Sequence, residues 1–245
     1  MKNKYYYDLH IHSCLSPCAD NDSTPGNIVG MGVLAGLQIM ALTDHNSCKN
    51  CPAFFAAAKK HGIIPVAGME LTVAEDVHVI CLFPTLDSAM EFDRVVAKRR
   101  IPIKNRPDIF GEQLIVGEDD EVIGTEENLL SYATDIPLDE AFVLVKSFGG
   151  VCYPAHVDRE SNGIIAVLGA IPPDLPITAV ELHDGDKLDS YKDKLPNGCR
   201  TVVSSDAHYL WDIRDCEHFL MLDDEPYSSQ LVRERLIDFL GGIGK

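Results

Sequence analysis

The chain has 245 residues, 46% of them hydrophobic, and its formal net charge is −17 at pH 7. A chain of this length can bury one core without disulfides to hold it together, so we expect a single domain. The acidity argues against a general nucleic-acid surface, which needs a basic stripe to displace counterions. We therefore predict that nucleic acid polymers are not partners of this protein.

No stretch of the sequence has the length and apolar character of a membrane span, and the first residues lack the hydrophobic segment of a secretory signal. We therefore expect a cytoplasmic protein without a membrane partner. In that compartment the eight cysteines are expected to be thiols or metal ligands rather than disulfides.

Strand-like apolar runs alternate with helical patterns along most of the chain. The seven or eight strands and the helices between them predict an α/β fold, a distorted (β/α) barrel. Residues about 100–135 break the alternation and contain a hairpin, so we interpret them as a small insertion on the barrel. The predicted strands are 5–10, 38–42, 63–67, 77–83, 151–155, 179–182, 200–204 and 219–222, and the predicted helices are 24–36, 52–60, 86–98, 137–148, 164–168 and 228–240.

The stretch from Lys98 to Arg106 is the one concentration of basic residues in this acidic sequence. It is either the solvated end of a helix or an anion-binding segment, and the sequence leaves both interpretations open.

His10 and His12 flank a single residue at the end of the first predicted strand. Side chains two apart on a strand point to the same side, and neutral imidazoles bind zinc, manganese and iron. A half-buried pair of strand histidines is the alternative. The metal site is favoured because most other apolar runs also carry His, Asp or Glu at one end, usually the C-terminal end, where an α/β barrel keeps its chemistry.

Together these positions supply six imidazoles and three carboxylates, enough for two or three divalent ions. Glu70 is the natural bridge, because both of its oxygens can bind an ion. A hydroxide bridging two ions can attack the phosphorus of a phosphate ester, and hydrolysis of an amide or a ring is the chemical competitor. The candidate metal ligands are His10, His12, Asp20, His45, Glu70, His78, His156, Asp206 and His208.

At these positions the chain resembles the PHP family of metal-dependent phosphoesterases, named after polymerase and histidinol phosphatase domains. The resemblance covers nearly the whole chain. It implies a distorted (β/α)7 TIM-like barrel with up to three ions of manganese, zinc or iron at the C-terminal strand ends. The matching segments are residues 8–13, 42–46, 68–70, 77–80, 154–156 and 205–208.

The resemblance also implies how the ligands are shared among the ions. Asp20 is selected by counting back five residues from Pro25, and Asp22 is the alternative. The implied sets are His10, His12, Glu70 and Asp206 for one ion, Glu70, His78 and His156 for a second, and Asp20, His45 and His208 for a third.

Three of these residues, Glu70, Asp206 and His208, are also the candidate catalytic residues, and Asp206 or a neighbouring histidine would assist proton transfer to the leaving group. Arg159 is a candidate for binding the substrate phosphate bidentately, with an ordinary surface arginine as the alternative. His183 follows a predicted strand and could face the same pocket.

Four cysteines, Cys14, Cys18, Cys48 and Cys51, depart from the family pattern and lie on two loops that we expect to be neighbours. Four thiolates at these spacings could form a tetrahedral zinc site or hold an iron–sulfur cluster. A redox-active dithiol pair and ordinary loop thiols are the alternatives.

The sequence therefore predicts a metal-dependent phosphatase that hydrolyses phosphomonoesters of small metabolites or nucleotides through a metal-bridging hydroxide. The alternative is a metal- or cofactor-binding maturation or sensor protein with the same fold, clustered cysteines and little hydrolytic activity.

Overall fold

The computed structural model describes residues 2–243, and there the expected mixed α/β organisation is confirmed. The strands are β1 (Lys2–Asp8), β2 (Ile39–Leu42), β3 (Ile64–Thr72), β4 (His78–Phe83), β5 (Leu114–Val116), β6 (Val122–Thr125), β7 (Val151–Pro154), β8 (Ala179–Leu182), β9 (Arg200–Val203) and β10 (Phe219–Asp223). The α-helices are α1 (Pro25–Leu34), α2 (Cys51–His61), α3 (Leu86–Val96), α4 (Pro107–Phe110), α5 (Leu138–Ser147), α6 (Ile164–Leu168), α7 (Leu188–Tyr191) and α8 (Ser229–Leu240).

A curled sheet of six strands, in the order β10-β1-β2-β3-β4-β7, forms the centre of the fold. β1, β2 and β3 are parallel, whereas β4 is antiparallel to both β3 and β7. The parallel pair β8-β9 continues the curl, since the Val157 amide after β7 donates to the Glu181 carbonyl on β8. The structure does not confirm the count of seven strand–helix units, because β3 passes directly into β4.

Local sequence signals explain where the helices begin and end. Thr24 caps α1, its hydroxyl accepting a hydrogen bond from the Asn27 amide, and Pro25 is the first helical residue. α2 ends at Gly62, whose φ of 74° favours glycine. Among residues 2–243 there is no helix with both the length and the hydrophobicity that a membrane span requires.

The inner strands of the sheet are buried on both faces. All residues of β2 and β3 are buried, which fits their continuous apolar sequence. Large side chains such as Phe54 of α2 and Phe92 of α3 pack against one face of the sheet, and side chains of α8 such as Leu236 pack against the other. This packing holds the strand ends at fixed positions.

The predicted hairpin within residues 100–135 is present as the antiparallel pair β5-β6. It rests on the loops that follow β1 and β2. The Leu114 amide donates to the Cys14 carbonyl, and the Val116 amide donates to Oδ1 of Asn50. The insertion is thereby fixed against the same loops that carry the candidate ligands.

The basic stretch from Lys98 to Arg106 is largely engaged in ion pairs. Arg99 pairs with Asp135 and Glu140, and Arg100 pairs with Glu126. These contacts favour the structural interpretation of the stretch over an anion-binding one.

Asn46 connects the insertion to the edge of the sheet. Its buried side chain donates to the carbonyls of Leu130 and Tyr132, at 2.6 and 2.9 Å, and accepts from the Thr72 amide at 2.9 Å. Its φ of 48° lies in the left-handed region, which asparagine tolerates better than most residues.

We expect Asn46→Ala to lower the free energy of unfolding by about 2–4 kcal/mol, because three backbone groups, two of them in buried hydrogen bonds, lose their partners and alanine disfavours a positive φ. Equilibrium unfolding in urea measures the change. The matched control is Asn197→Ala at an exposed position, expected to change stability by less than about 0.5 kcal/mol. Equal effects of the two substitutions would contradict the role given to Asn46.

Candidate metal centre

The candidate ligands meet at one edge of the sheet. This edge is formed by the carboxyl ends of the parallel strands, and because β4 is reversed its first residue, His78, lies there too, opposite Thr72. β1 ends at Asp8, so His10 and His12 lie beyond the strand rather than on it. They converge because the segment continues as an isolated bridge between Ile11 and Ala207.

Glu70 lies at the centre of the cluster, with its carboxylate buried among five imidazoles. The Oε1 contacts are His78 Nδ1 at 2.8 Å, His156 Nε2 at 3.1 Å and His10 Nε2 at 3.4 Å, and the Oε2 contacts are His45 Nδ1 at 3.0 Å and His12 Nε2 at 3.3 Å.

Among residues 2–243, the side chains form three groups that could each hold an ion. Within each group, the ligand atoms lie within 4.8 Å of one another. The set implied for the first ion is brought together. The other two groups differ from the implied sets: His45 rather than His156 accompanies Glu70 and His78, and His12 rather than Asp20 accompanies His45 and His208. The groups are His10, His12, Glu70 and Asp206; His45, Glu70 and His78; and His12, His45 and His208.

Hydrogen bonds outside the cluster set the orientation of its first two imidazoles. His10 Nδ1 donates to Oε1 of Glu181 at 2.8 Å, and His12 Nδ1 donates to Ser16 Oγ at 2.9 Å. Ser16 Oγ in turn donates to Oδ1 of Asp44 at 2.8 Å. When both rings are neutral, their Nε2 lone pairs face each other at 3.0 Å, an arrangement that a cation between them would stabilise.

Several buried polar atoms of the cluster lack a hydrogen bond of acceptable geometry even though charged groups lie near them. A buried polar atom without a partner is costly, and a bound cation would satisfy these atoms. The donor set therefore fits divalent metal ions. The atoms are His45 Nδ1, Glu70 Oε2, His78 Nδ1 and Asp206 Oδ1.

The two carboxylates of the cluster are held in their ionised form. Burial alone would raise the pKa of Glu70, but His78, His10 and His45 lower it well below its usual range. The pKa of Asp206 is lowered in the same way, burial being outweighed by His10 and His12.

The backbone at the site is also strained, since His156 and Asp206 have φ values of 26° and 52°.

Asp20 is not brought into the cluster. Its Oδ1 accepts a hydrogen bond from the Asp22 amide at 2.8 Å, and it belongs to none of the three ligand groups. The side chain that contacts His45 and His208 from this loop is Cys18, whose sulfur is likewise in none of the three ligand groups. Burial would raise the pKa of the Cys18 thiol, but the two imidazoles lower it to about 5.

Arg159 lies beside the cluster, where its guanidinium donates to Oδ2 of Asp206. Its side chain remains 39% exposed. His183 is further out, with its ring 3.5 Å from the guanidinium of Arg214. Burial, Arg159 and Arg214 lower the pKa of His183, and it belongs to none of the three ligand groups.

The four loop cysteines do not form one centre among residues 2–243. Cys48 and Cys51 point into the apolar core below the loop, and Cys48 Sγ lies 3.1 Å from the Gly68 carbonyl. Cys14 packs beside Asn50, away from Cys18. The two loops are neighbours, as expected, but Cys48 in the turn before α2 and Cys51 at its first residue both point inward. Burial and the Cys51 thiol raise the pKa of Cys48, which disfavours a reactive dithiol.

A family model for the PHP domain matches residues 8–145. The chain belongs to the PHP domain family. The PolC-type DNA polymerase III of Bacillus subtilis is 38% identical over 69 residues, which are 28% of this chain and 5% of the polymerase. The error-prone DNA polymerase of Symbiobacterium thermophilum is 34% identical over 77 residues, 31% of this chain and 7% of the polymerase. The chain thus matches a small part of the length of these curated relatives.

Solved structures show that the fold extends beyond the family match. The lesion-specific endonuclease Q of Pyrococcus furiosus aligns with 99% of this chain and 57% of its own, at a TM-score of 0.67 and 19% identity. A candidate metal-dependent phosphoesterase from Bifidobacterium adolescentis aligns with 94% of this chain and 95% of its own, at a TM-score of 0.51 and 18% identity.

The prediction that excluded nucleic acid polymers as partners is wrong. Endonuclease Q, which shares this fold, has been solved with a 27-mer duplex carrying an abasic lesion at its active site. The prediction relied on net charge, which sums the whole chain, whereas contact with DNA depends on the charges near the site.

Glu181 and Ser16 hold the ligands in place but were not among the sequence candidates, and no role had been given to Asp44. The one available signal was a charged residue inside an apolar strand, since Glu181 interrupts β8. Its Oε1 accepts from both His10 Nδ1 and the His156 amide.

We expect Glu70→Ala to remove more than one metal ion per chain, because Glu70 belongs to two of the three ligand groups. Metal analysis after reconstitution and desalting measures the loss. The control is Glu118→Ala, an exposed carboxylate in the β5-β6 turn, which should keep the full metal content. Full metal content in the Glu70 variant would show that this residue does not bridge.

We expect Glu181→Gln to weaken metal binding about 10–100-fold, because the amide orients the His10 ring less firmly than the carboxylate does. Competition with a chelator measures the affinity. Glu91→Gln on the exposed face of α3 is the control and should bind metal like the unmodified chain. Unchanged affinity in the Glu181 variant would mean that the ring needs no such support.

Proposed function

We propose that this chain is a metal-dependent phosphoesterase that hydrolyses phosphomonoesters of small metabolites or nucleotides. The observation that supports the proposal is the buried cluster around Glu70, in which imidazole lone pairs and ionised carboxylates face one another. Divalent ions bound there would lower the pKa of a coordinated water and neutralise phosphate oxygens.

We assign different roles to the side chains of the cluster according to their positions. Glu70 and Asp206 stay ionised at neutral pH and balance the charge of bound cations. His208 Nδ1 donates to the Asp206 carbonyl at 2.9 Å, so Nε2 is the ring nitrogen that can bind a cation or take up a proton. It is the most exposed histidine of the cluster at 21%, so we assign it and Asp206 to the side where the leaving group departs.

Arg159 is the side chain that we propose for substrate binding. Its guanidinium is held beside the cluster by Asp206, and its exposed part can approach two phosphate oxygens at once. Arg214, next to His183, adds positive charge near Arg159. A phosphate group would therefore meet cations from both the metal side and the protein side.

Cleavage of a DNA phosphodiester is the second candidate function. It is favoured by the alignment of 99% of the chain with endonuclease Q, although identity is 19% and the likeness shows the fold alone. The maturation or sensor protein loses its main support, because the loop cysteines do not converge.

The test is turnover by the metal-reconstituted chain. We expect hydrolysis of a generic phosphomonoester and of nucleoside monophosphates, and we expect Arg159→Ala to lower kcat/KM about 10–100-fold by removing a bidentate phosphate contact. Arg106→Ala, at an exposed pair with Asp108, is the control and should leave kcat/KM unchanged.

A duplex with an abasic lesion is assayed beside the monoesters. Cleavage of the duplex without monoester turnover would replace the first candidate with the second. Absence of turnover on both, with full metal content, would overturn the phosphoesterase proposal.

A further inference from the structure

We propose that Cys18 supplies a thiolate ligand to a third metal site, together with His45 and His208, at the position where Asp20 was expected. This inference depends on the metal-binding part of the proposed function and not on its substrate. The proposed ligand is a cysteine, whereas the ligands expected from the sequence for these three ions are His, Asp and Glu.

The loop that carries Cys18 is fixed by backbone hydrogen bonds to the cluster. The Ala19 amide donates to the Ser16 carbonyl, and the Asp20 amide donates to the His208 carbonyl, both at 3.0 Å. Ser23 Oγ also donates to the His208 carbonyl, at 3.3 Å. A tight turn anchored on His208 therefore holds the Cys18 side chain against that residue.

The same loop turns Asp20 away from the metal centre. Its Oδ1 caps the turn by accepting from the Asp22 amide, and Asp22 itself is exposed. A carboxylate held in this way would have to break its local hydrogen bond to reach His45. Cys18 needs no such change, because its thiol already forms hydrogen bonds with the imidazoles of His45 and His208.

The imidazoles at this position form a ligand group on their own. His12, His45 and His208 present nitrogen atoms within 4.8 Å of one another. His12 and His45 are buried, at 1% and 5% exposure. The cluster thus points to a cation independently of the cysteine.

A thiolate beside two or three imidazoles is a donor set for a soft or borderline ion. Such a set favours Zn²⁺, Fe²⁺ or Co²⁺ over Mn²⁺ or Mg²⁺, which prefer oxygen ligands. The thiolate binds the ion as a lone-pair donor, any proton that remains on the sulfur leaves to solvent, and no atom changes its oxidation state. Because Cys18 is exposed, the site would remain open to solvent and to a substrate oxygen.

The experiment uses Co²⁺ as the probe. The full chain is stripped of metal and titrated with Co²⁺ under anaerobic conditions, and absorption is recorded in the near ultraviolet, where thiolate-to-cobalt charge transfer occurs. We expect the band in the unmodified chain and in Asp20→Ala. We expect Cys18→Ser to lose the band together with about one bound Co²⁺ per chain.

Three further variants test whether the charge-transfer band depends on Cys18 alone. Cys18→Asp offers an oxygen ligand, so it should retain the third ion while losing the charge-transfer band. Cys14→Ser, on the same loop but facing Asn50, and Cys216→Ser, at an exposed thiol elsewhere, should both keep the band. Circular dichroism of each variant checks that the fold is intact.

A charge-transfer band that persists in Cys18→Ser would overturn the proposal, and so would its absence from the unmodified chain or its loss in Asp20→Ala. Turnover is not part of this readout. A chain that binds Co²⁺ through Cys18 and hydrolyses no phosphoester would refute the proposed function and leave this inference standing.

Discussion

The burial of the Glu70 carboxylate is the constraint on which the site depends. An ionised carboxylate removed from water is destabilising unless positive charge or hydrogen-bond donors surround it. Here its amide is held by the carbonyls of Thr43 and Asp44, and its two oxygens face five imidazoles. Protonated imidazoles or bound cations can both supply the charge. Bound cations are favoured, because protonating neighbouring rings such as His10 and His12, whose Nε2 atoms are 3.0 Å apart, would place like charges against each other.

The fold delivers these imidazoles from segments that are far apart in sequence. The reversal of β4 is what brings His78 to the edge where the parallel strands end. Glu181 of β8 then joins two other segments, because one of its oxygens accepts from His10 and from the amide of His156. The small β8-β9 sheet therefore does more than extend the curl. It fixes the relative position of ligands that follow β1 and β7.

Much of this arrangement could be predicted from the sequence, because apolar runs bounded by Gly and Pro locate the strands and the histidine pattern selects residues that cluster around Glu70. The side chain that we propose for the third group could not be predicted. Counting residues back from Pro25 selected Asp20, whereas in the structure Cys18 contacts His208. That choice depends on hydrogen bonds between the loop and His208, a partner distant in sequence. The four-cysteine centre could not be judged from the sequence for a similar reason, since the turn before α2 directs Cys48 into the core.

Net charge was a poor guide to partners because the acidic residues are not all available to a ligand. In the turn between β5 and β6, Asp120 accepts hydrogen bonds from Thr24 Oγ1 and the Gly26 amide, and Asp119 pairs with Lys60. Charges farther from the site than a Debye length of about 10 Å are largely screened. In the proposed function, the field that a phosphate meets is therefore set by bound cations and by Arg159 and Arg214. Monoester and DNA substrates present the same phosphate chemistry to that field, so the shape of the rim around the site must distinguish them.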